Sequence, residues 1–278
     1  MTDTPDRAET ISLLSQQWDA LADLVAGLDE NRWRTPSPLP GWTVFDVLAH
    51  VIGTESFLLG EKPPAQHPKH AKVDVRTLPH VRNEIGVMNE IWVQRLHPLP
   101  GRELLQLFRD VTDRRHKMLA AMADAQWQVP TQSPVGEVPY GRFMRVRLFD
   151  CWMHELDIAD ALGVAVDEGG RRGELAFAEF TASLPRVLVK LGKAPEGSSI
   201  TFDLTGPLAR RLHIEVGGRA RYVEALDAPA TVTITLDAGL LARLGGGRVT
   251  ADSVLGRIHF TGDSDLGRQL VRNLTFTI

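Results

Sequence analysis

The residues best suited to chemistry lie in one stretch, RLFDCWMHELDIADALG, residues 147–163. The stretch predicts a helix because it holds no proline and no glycine before its last position. At about 100° per residue, one narrow arc of this helix carries Arg147, Asp150, His154 and Asp157, and most of the other positions are apolar. A helix that is apolar almost all round is buried, so its polar stripe faces the interior, where charge is costly unless it is paired or bound to a metal.

Asp150 and His154 are spaced i, i+4, so their side chains lie one above the other on the helix. This spacing suits a structural ion pair, and it equally suits two ligands of one metal. His50 lies in the most apolar part of another predicted helix and, taken alone, is more typical of a core histidine. A helical bundle can bring the two helices together, and bundle cores hold metal sites built from facing helices. Two imidazoles and one carboxylate would suit Zn²⁺, with Fe²⁺, Ni²⁺ or Mn²⁺ as alternatives, and would leave a coordination position free for catalysis.

The neighbours of these three residues have predicted roles of their own. Arg147 and Asp157 are expected to orient and neutralise the ligands from behind, the alternative being an ordinary buried salt bridge. Cys151 lies about 100° around the helix from Asp150 and is expected to pack rather than react. No catalytic side chain separate from the metal site is predicted. The basic cluster at Arg114, Arg115 and Lys117 is interpreted as the solvated face of a helix.

Helices dominate the first part of the chain. Their apolar spacing predicts helices at 8–29, 44–60, 81–96, 102–122 and 143–163. Thr43 is expected to cap the second of these, with Asp46 completing a capping box, and a polar loop that contains Pro130 and Pro139 is expected before the last. Four or five long helices with moderate loops predict an up-down bundle.

After about residue 165 short alternating runs predict strands. These are expected at 199–204, 211–216, 219–223, 230–236 and 257–261, with helices at 173–191 (interrupted near Pro185), 237–244 and 263–273, and a last strand at 275–278. The predicted fold is therefore two domains, a helical bundle at 1–165 and a smaller α+β module with an antiparallel sheet at 173–278.

The composition restricts the partners. The 278 residues include 43% hydrophobic and 24% charged residues, with a formal net charge of −4. This balance predicts no nucleic-acid partner and no anionic membrane surface. The single cysteine and the lack of a signal peptide or an apolar run of about 20 residues predict a cytoplasmic protein. A monomer and a homodimer are both compatible with the sequence.

Two of these motifs carry a family resemblance. GWTVFDVLAHV, followed about a hundred residues later by RLFDCWMHELDIADALG, resembles the DinB-like metalloenzymes of the mycothiol-dependent maleylpyruvate isomerase family. The segments WRTPSPLPGWTV and VRNEIGVMNEIWV fit the same pattern, and the second half, through TVTITLDAGLLARLGGGR, resembles the family's sterol-carrier-like C-terminal module. The resemblance implies that His50, Asp150 and His154 hold a divalent metal, usually zinc. Many relatives have His or Glu in place of Asp150.

The resemblance also implies thiol chemistry, with mycothiol as the co-substrate. The metal would bind the sulfur and favour the thiolate, which is the nucleophile. The thiolate would either be transferred to an electrophile, as in detoxification, or add reversibly to a cis double bond and isomerise it. We expect S-transfer, because the sequence shows no cluster of arginines for a dicarboxylate. Arg82 and Asn83 are candidates for thiol or substrate contacts, with solvation of the helix surface as the alternative.

Hypotheses from other classes stay open at this point. The chain could be a non-enzymatic protein whose C-terminal module binds an apolar ligand, or a regulatory partner of another protein.

Overall fold

Helices form the first half of the chain and a small sheet with helices forms the second. The computed structural model describes residues 6–67 and 73–277. The chain divides into two units, Met1–Val166 and Asp167–Ile278. In the described part of the chain, no helix combines the length and the hydropathy that a bilayer crossing requires.

The first unit contains seven helices among its described residues. They are α1 (Arg7–Val25), α2 (Glu30–Trp33), α3 (Val44–Leu58), α4 (Glu84–Leu96), α5 (Gly101–Ala121), α6 (Asp124–Trp127) and α7 (Tyr140–Leu162), with a 3-10 helix at Val75–Thr77 and two short strands, β1 (Pro130–Ser133) and β2 (Gly136–Pro139). The predicted long helices are thus present, and the helix that carries Asp150 and His154 begins three residues earlier than the predicted 143.

The core of this unit lies between its long helices. Helix α3 packs against α4, α5 and α7, and α1 packs against α5 and α7. The fully buried side chains at these contacts include Leu14, Leu48, Phe108 and Trp152. Removal of such side chains from water contributes roughly 1.5–3 kcal/mol each, so packing rather than helix propensity holds these helices in register.

Local signals set the ends of the helices that carry the candidate ligands. The Asp46 carboxylate accepts hydrogen bonds from the Thr43 backbone N–H at 2.8 Å and the Thr43 hydroxyl at 2.7 Å, which fixes the start of α3. Helix α7 ends at Gly163, which has a φ of +66° that only glycine adopts without strain.

The segment before α7 is a hairpin, whereas the sequence predicted a loop. Strands β1 and β2 pair antiparallel, and Pro130 lies opposite Pro139 at their open end, where a missing N–H costs no ladder hydrogen bond. Gly136, with a φ of +97°, supports the turn. The prolines that indicated a loop therefore mark the ends of the two strands.

The second unit combines helices with a five-stranded sheet. Its elements are α8 (Gly170–Thr181), α9 (Leu184–Lys190), β3 (Ser199–Thr205), β4 (Arg210–Gly217), β5 (Arg219–Val223), β6 (Val232–Asp237), α10 (Ala238–Gly245), α11 (Ala251–Val254), a 3-10 helix (Leu255–Arg257), β7 (His259–Gly262) and α12 (Ser264–Arg272). Pro185 lies in the first turn of α9, where its missing N–H is not needed, so it separates α8 from α9 as predicted.

The sheet is mostly antiparallel but has one parallel pair at its centre. The strand order is β5-β4-β3-β6-β7, and β3 runs parallel to β6, with Ile200 opposite Val232. The parallel pair arises because the chain leaves β3 through the β4–β5 hairpin and returns to the other side of β3. The prediction of an antiparallel sheet holds for the other three pairs and is wrong for this one.

The predicted strand at the C-terminus is absent from the described residues. Residues 274–277 have no regular structure, and Ile278 lies outside the described part. The backbone N–H groups of Phe276 and Thr277 both donate to the carbonyl oxygen of Gly245, at 2.9 and 3.1 Å. The backbone N–H groups of this segment are therefore hydrogen-bonded to the end of α10 and not to the edge of the sheet.

Candidate metal centre

Two histidines and one aspartate converge in the first unit. One possible ligand atom from each of His50, Asp150 and His154 lies within 4.8 Å of the others. The Nε2 atoms of His50 and His154 each lie 3.6 Å from Oδ2 of Asp150. The two imidazole rings have their centroids 4.9 Å apart. The sequence analysis had predicted these three residues as ligands of one metal.

The packing of α3 against α7 explains why they meet. His50 lies between the fully buried Ala49 and Val51 on α3, so the same packing that buries the apolar side chains carries the imidazole inward. Both histidines are 6% exposed, whereas 31% of the Asp150 side chain is exposed. The cluster is therefore buried on the histidine side and open to solvent at Asp150.

The donor set fits a divalent ion. Ligand atoms about 2 Å from a shared tetrahedral zinc lie about 3.3 Å from one another, close to the observed 3.6 Å between the aspartate oxygen and each imidazole nitrogen. Burial lowers the pKa of His50, with Asp150 opposing this in part, so the neutral imidazole that metals bind is favoured. Burial alone would raise the pKa of Asp150, but the charge of Arg147 and the interactions with His154 and His50 outweigh it and hold that pKa well below its usual value.

Asp157 fixes the orientation of His154. Its Oδ2 atom lies 3.0 Å from Nδ1 of His154, and its side chain is fully buried. Because an ionised carboxylate only accepts hydrogen bonds, this contact keeps the proton of the neutral imidazole on Nδ1. The lone pair then resides on Nε2, the atom that faces Asp150.

Arg147 connects Asp150 to a chain of buried charges. Its Nη1 atom donates to Oδ2 of Asp150 at 2.6 Å, and its Nε donates to Oε1 of Glu55 at 3.0 Å. The other oxygen of Glu55 accepts from Nε of Arg115 at 2.8 Å. Two carboxylates and two guanidinium groups alternate along this chain, so the four residues together are neutral.

The sequence analysis did not predict that Arg115 and Glu55 belong to this series of buried charges. Arg115 was predicted to lie on a solvated helix face, but it is fully buried and also donates to the Tyr140 hydroxyl at 3.2 Å. The signal was present, since Arg115 follows Phe108 by seven residues and so shares the apolar face of α5. Glu55 carries a similar signal, since it follows Leu48 by seven residues on the apolar face of α3, although its spacing from the candidate ligands matches no ligand pattern.

A second buried group supports the other side of His50. The Trp42 ring lies 5.3 Å from the His50 ring, and its Nε1 donates to Glu90 at 2.9 Å. Glu90 is 2% exposed and also contacts His80 at 3.0 Å and Gln94 at 2.7 Å. The hydrogen bond to Glu90 therefore holds the indole against the imidazole. The sequence analysis did not identify this group.

Arg82 and Asn83, the other residues singled out in the sequence, lie at the start of α4. Asn83 caps α4, with its side chain accepting from the Gly86 N–H at 2.8 Å, and Arg82 is exposed. Within residues 6–67 and 73–277, neither makes a recorded hydrogen bond or ion pair with the three converging residues. Their role as thiol or substrate contacts stays a prediction. Cys151 is fully buried, and burial raises the pKa of its thiol.

A helical unit with two histidines and a carboxylate converging between its helices, followed by an α+β unit, belongs to the DinB-like helical class. The family described as the mycothiol maleylpyruvate isomerase N-terminal domain matches residues 14–159, and the MDMPI C-terminal domain matches residues 174–269. The chain therefore belongs to the mycothiol-dependent maleylpyruvate isomerase family, and the resemblance seen in the sequence is confirmed.

Solved structures share this fold. The crystal structure of the mycothiol-dependent maleylpyruvate isomerase matches with a TM-score of 0.57 and 18% identity, over 88% of this chain and 90% of that one. A histidine-to-alanine mutant of the isomerase matches with a TM-score of 0.56 and 16% identity, over 92% of this chain and 93% of that one. At these identities the likeness establishes the fold alone.

Sequence relatives are found in Mycobacterium tuberculosis. The uncharacterized protein Rv0036c of strain H37Rv and the uncharacterized protein MT0041 of strain CDC 1551 are each 30% identical to this chain over 162 residues. The match covers 57% of this chain and 58% of each relative, so it spans little more than half of their length.

Proposed function

We propose that the chain is a metal-dependent, mycothiol-using enzyme that isomerises a cis double bond next to a carbonyl, as in maleylpyruvate. The observation that carries the proposal is the convergence of His50, Asp150 and His154, with Asp150 partly exposed to solvent. Family membership favours isomerisation over the S-transfer that the sequence analysis preferred. Zinc is the proposed metal, held by these three side chains with a position left for sulfur.

The charge around the centre favours an anionic ligand. A divalent cation held there would bind the sulfur of the thiol and lower its pKa, so that the thiolate forms near neutral pH. Because the charges of Asp150 and Glu55 are balanced by Arg147 and Arg115, two positive charges would otherwise stay uncompensated in a largely buried site. A thiolate offsets one of them.

The proposed reaction needs no nucleophile from the protein. The thiolate forms a carbon–sulfur bond at one alkene carbon while the π electrons move toward the conjugated carbonyl. Rotation about the resulting single bond is followed by return of the electron pair and release of the thiolate, which restores the double bond in the trans form. Atoms and electrons balance, and the thiol is regenerated.

The protein's side chains orient the proposed metal ligands His154 and Asp150. Asp157 keeps the proton of His154 on Nδ1, and Arg147 keeps Asp150 ionised. Cys151 takes no part, because its thiol is buried and its pKa is raised. The proposed partners are a small thiol and a small unsaturated substrate in the cytoplasm.

Transfer of the thiol to an electrophile is the second candidate. One observation favours it: Arg147, which contacts Asp150, and Arg115 are held by internal carboxylates and are nearly or fully buried. Neither is positioned to bind the carboxylates of a dicarboxylate substrate. In the transfer reaction an alkylating agent would take the place of the alkene. Binding of an apolar ligand by the sterol-carrier-like second unit stays a prediction for the non-enzymatic alternative.

Two parallel assays test the proposal. The metal-loaded protein is given mycothiol with maleylpyruvate in one and mycothiol with monochlorobimane in the other. We expect maleylpyruvate isomerisation that requires mycothiol, is lost in His154→Ala and is kept in His259→Ala, a control at an exposed histidine of β7. Conjugation of monochlorobimane without isomerisation would favour the second candidate. Absence of both activities would contradict both.

A further inference from the structure

We infer that Glu55 is a positioning residue of the metal centre, acting on Asp150 through Arg147. The inference rests on the proposed function, because it concerns the site at which that function would take place. Glu55 touches neither His50, Asp150 nor His154 in any recorded hydrogen bond or ion pair of the described residues. Its influence therefore has to pass through the guanidinium group between it and Asp150.

The contacts of Glu55 are short and fully enclosed. One oxygen, Oε1, accepts from Nε of Arg147 at 3.0 Å and lies 2.9 Å from its Nη2. The other, Oε2, accepts from Arg115 at 2.8 Å. The Glu55 and Arg115 side chains are 0% exposed and the Arg147 side chain is 5% exposed. With water excluded, these bonds are stronger than the same bonds on a surface.

This arrangement fixes three of the five donor groups of Arg147. Two face Glu55, and the third, Nη1, faces Oδ2 of Asp150 at 2.6 Å. Because the guanidinium group is planar and rigid, fixing one edge on Glu55 also fixes the direction of Nη1. Glu55 thereby determines where the hydrogen-bond donor to Asp150 lies.

The same contacts divide the charge of Arg147 between two carboxylates. Asp150 must stay ionised to bind a metal, yet it must not be so strongly held by Arg147 that it becomes a poor ligand. While Glu55 neutralises part of the guanidinium charge, Asp150 keeps more of its own charge for a cation. Loss of the Glu55 charge would leave Asp150 to face more of the guanidinium charge of Arg147 and would weaken Asp150 as a ligand.

A purely structural role makes a different prediction. Glu55 joins α3, α5 and α7, so its loss would destabilise the unit in either case. If stability were its only role, breaking either of its two ion pairs would have a similar effect, and neither change would alter metal affinity in protein that remains folded.

The test compares Glu55→Gln with Arg115→Gln. Glu55→Gln removes the charge that faces Arg147, whereas Arg115→Gln breaks the ion pair on the side of Glu55 away from the metal centre and leaves the bond to Arg147 intact. Zinc affinity is measured by competition with a chromogenic chelator, and the visible spectrum of the cobalt-loaded protein reports the ligand geometry. Circular dichroism establishes that each variant is folded.

We expect Glu55→Gln to weaken zinc binding by at least about tenfold and to change the cobalt spectrum, as is typical for groups that support metal ligands. Arg115→Gln leaves the bond between Glu55 and Arg147 in place and is expected to change zinc binding less than Glu55→Gln does. Equal zinc affinity and equal cobalt spectra in Glu55→Gln and the wild type would overturn the inference while leaving the proposed function intact. Failure of the wild type to bind metal would overturn both.

A double variant covers the case in which Glu55→Gln does not fold. Glu55→Gln with Arg115→Gln removes one negative and one positive buried charge, so the net charge of the chain of buried residues is unchanged. Arg147 still loses its second carboxylate. The same loss of zinc affinity is expected, and wild-type affinity in the folded double variant would again overturn the inference.

Discussion

His154 is held from both ends of its imidazole ring. Nδ1 lies 3.0 Å from Asp157 and Nε2 lies 3.6 Å from Asp150, all within one helix. These contacts follow from the i, i+3 and i, i+4 spacings on one helix, so the sequence alone could predict them. The position of His50 depends on the packing of α3 against α7, which the sequence suggested only through the apolar surroundings of this histidine.

The hydrogen bond between Asp157 and His154 should matter for metal affinity. Asp157→Asn replaces an acceptor by a group that need not keep the proton on Nδ1, so Nε2 loses its assured lone pair. We expect zinc affinity to fall by roughly 10- to 100-fold. Competition with a chelator measures this, and Asp160→Asn, at an exposed position of the same helix, is the control. Unchanged affinity in Asp157→Asn would show that the contact does not orient the ligand.

The Cys151 thiol should be inert in the folded protein. Its side chain is fully buried and burial raises its pKa, so little thiolate is present at pH 8 and reagents have no access. We expect iodoacetamide to label Cys151 at pH 8 only after the protein has been unfolded in guanidinium chloride, as followed by mass spectrometry. Rapid labelling of the folded protein would refute this description.

At the scale of elements, the capped start of α3 determines where His50 lies along the helix. Asp46 accepts two hydrogen bonds from Thr43 and also pairs with His97 at the end of α4. The capping signal was visible in the sequence because it is local. The pairing with His97 was not, since it joins residues 51 positions apart that meet only after α3 and α4 have packed.

Asp46→Asn should lower stability in a pH-dependent way. Burial would raise the pKa of Asp46, but hydrogen bonds and the charge of His97 outweigh it and lower that pKa from 3.8. A lowered pKa in the folded state means that the ionised carboxylate stabilises the protein above about pH 4, and that this contribution is lost as the pH falls through the folded-state pKa. We expect Asp46→Asn to cost about 1–2 kcal/mol at pH 7 in urea unfolding.

The difference in unfolding free energy between the wild type and Asp46→Asn should shrink at low pH. As the pH falls through the lowered pKa of Asp46, the wild-type carboxylate becomes protonated and resembles the amide of Asp46→Asn. A difference in unfolding free energy that stays constant from pH 7 down to the pH at which acid alone unfolds the protein would contradict the assigned role of the carboxylate.

The elements that sequence reasoning missed depend on contacts made after folding. The hairpin β1–β2 contains three prolines, and its prediction as a loop rested on them, although Pro130 and Pro139 lie at strand ends and Pro134 lies in the turn. Residues 275–277 alternate like a strand, but the N–H groups of Phe276 and Thr277 donate to Gly245 at the end of α10. Strand pairing is decided by topology, which the local pattern does not contain.

At the scale of the whole molecule, the two units correspond to two family domains, at residues 14–159 and 174–269. The predicted domains at 1–165 and 173–278 rested on the change from helical to strand periodicity after about residue 165. The chemistry of the proposed function lies in the first unit, where the three candidate ligands converge.

Metal should raise the thermal stability of the protein. An ion that binds the folded state alone stabilises it by about 2.7 kcal/mol when its free concentration is 100 times its dissociation constant. We therefore expect zinc to raise the melting temperature of chelator-treated wild type and to leave that of His154→Ala unchanged. Differential scanning calorimetry at fixed zinc measures both. An equal rise in both proteins would mean that zinc binds elsewhere.

The stoichiometry of bound metal tests the central claim most directly. Wild type, His50→Ala, Asp150→Ala and His154→Ala are loaded with zinc, passed over a desalting column and measured by atomic emission, with cobalt spectra taken in parallel. The account predicts one equivalent of zinc and a four- or five-coordinate cobalt spectrum in the wild type, and loss of both in each histidine variant. A folded wild type that retains no metal, or histidine variants that retain a full equivalent, would contradict it.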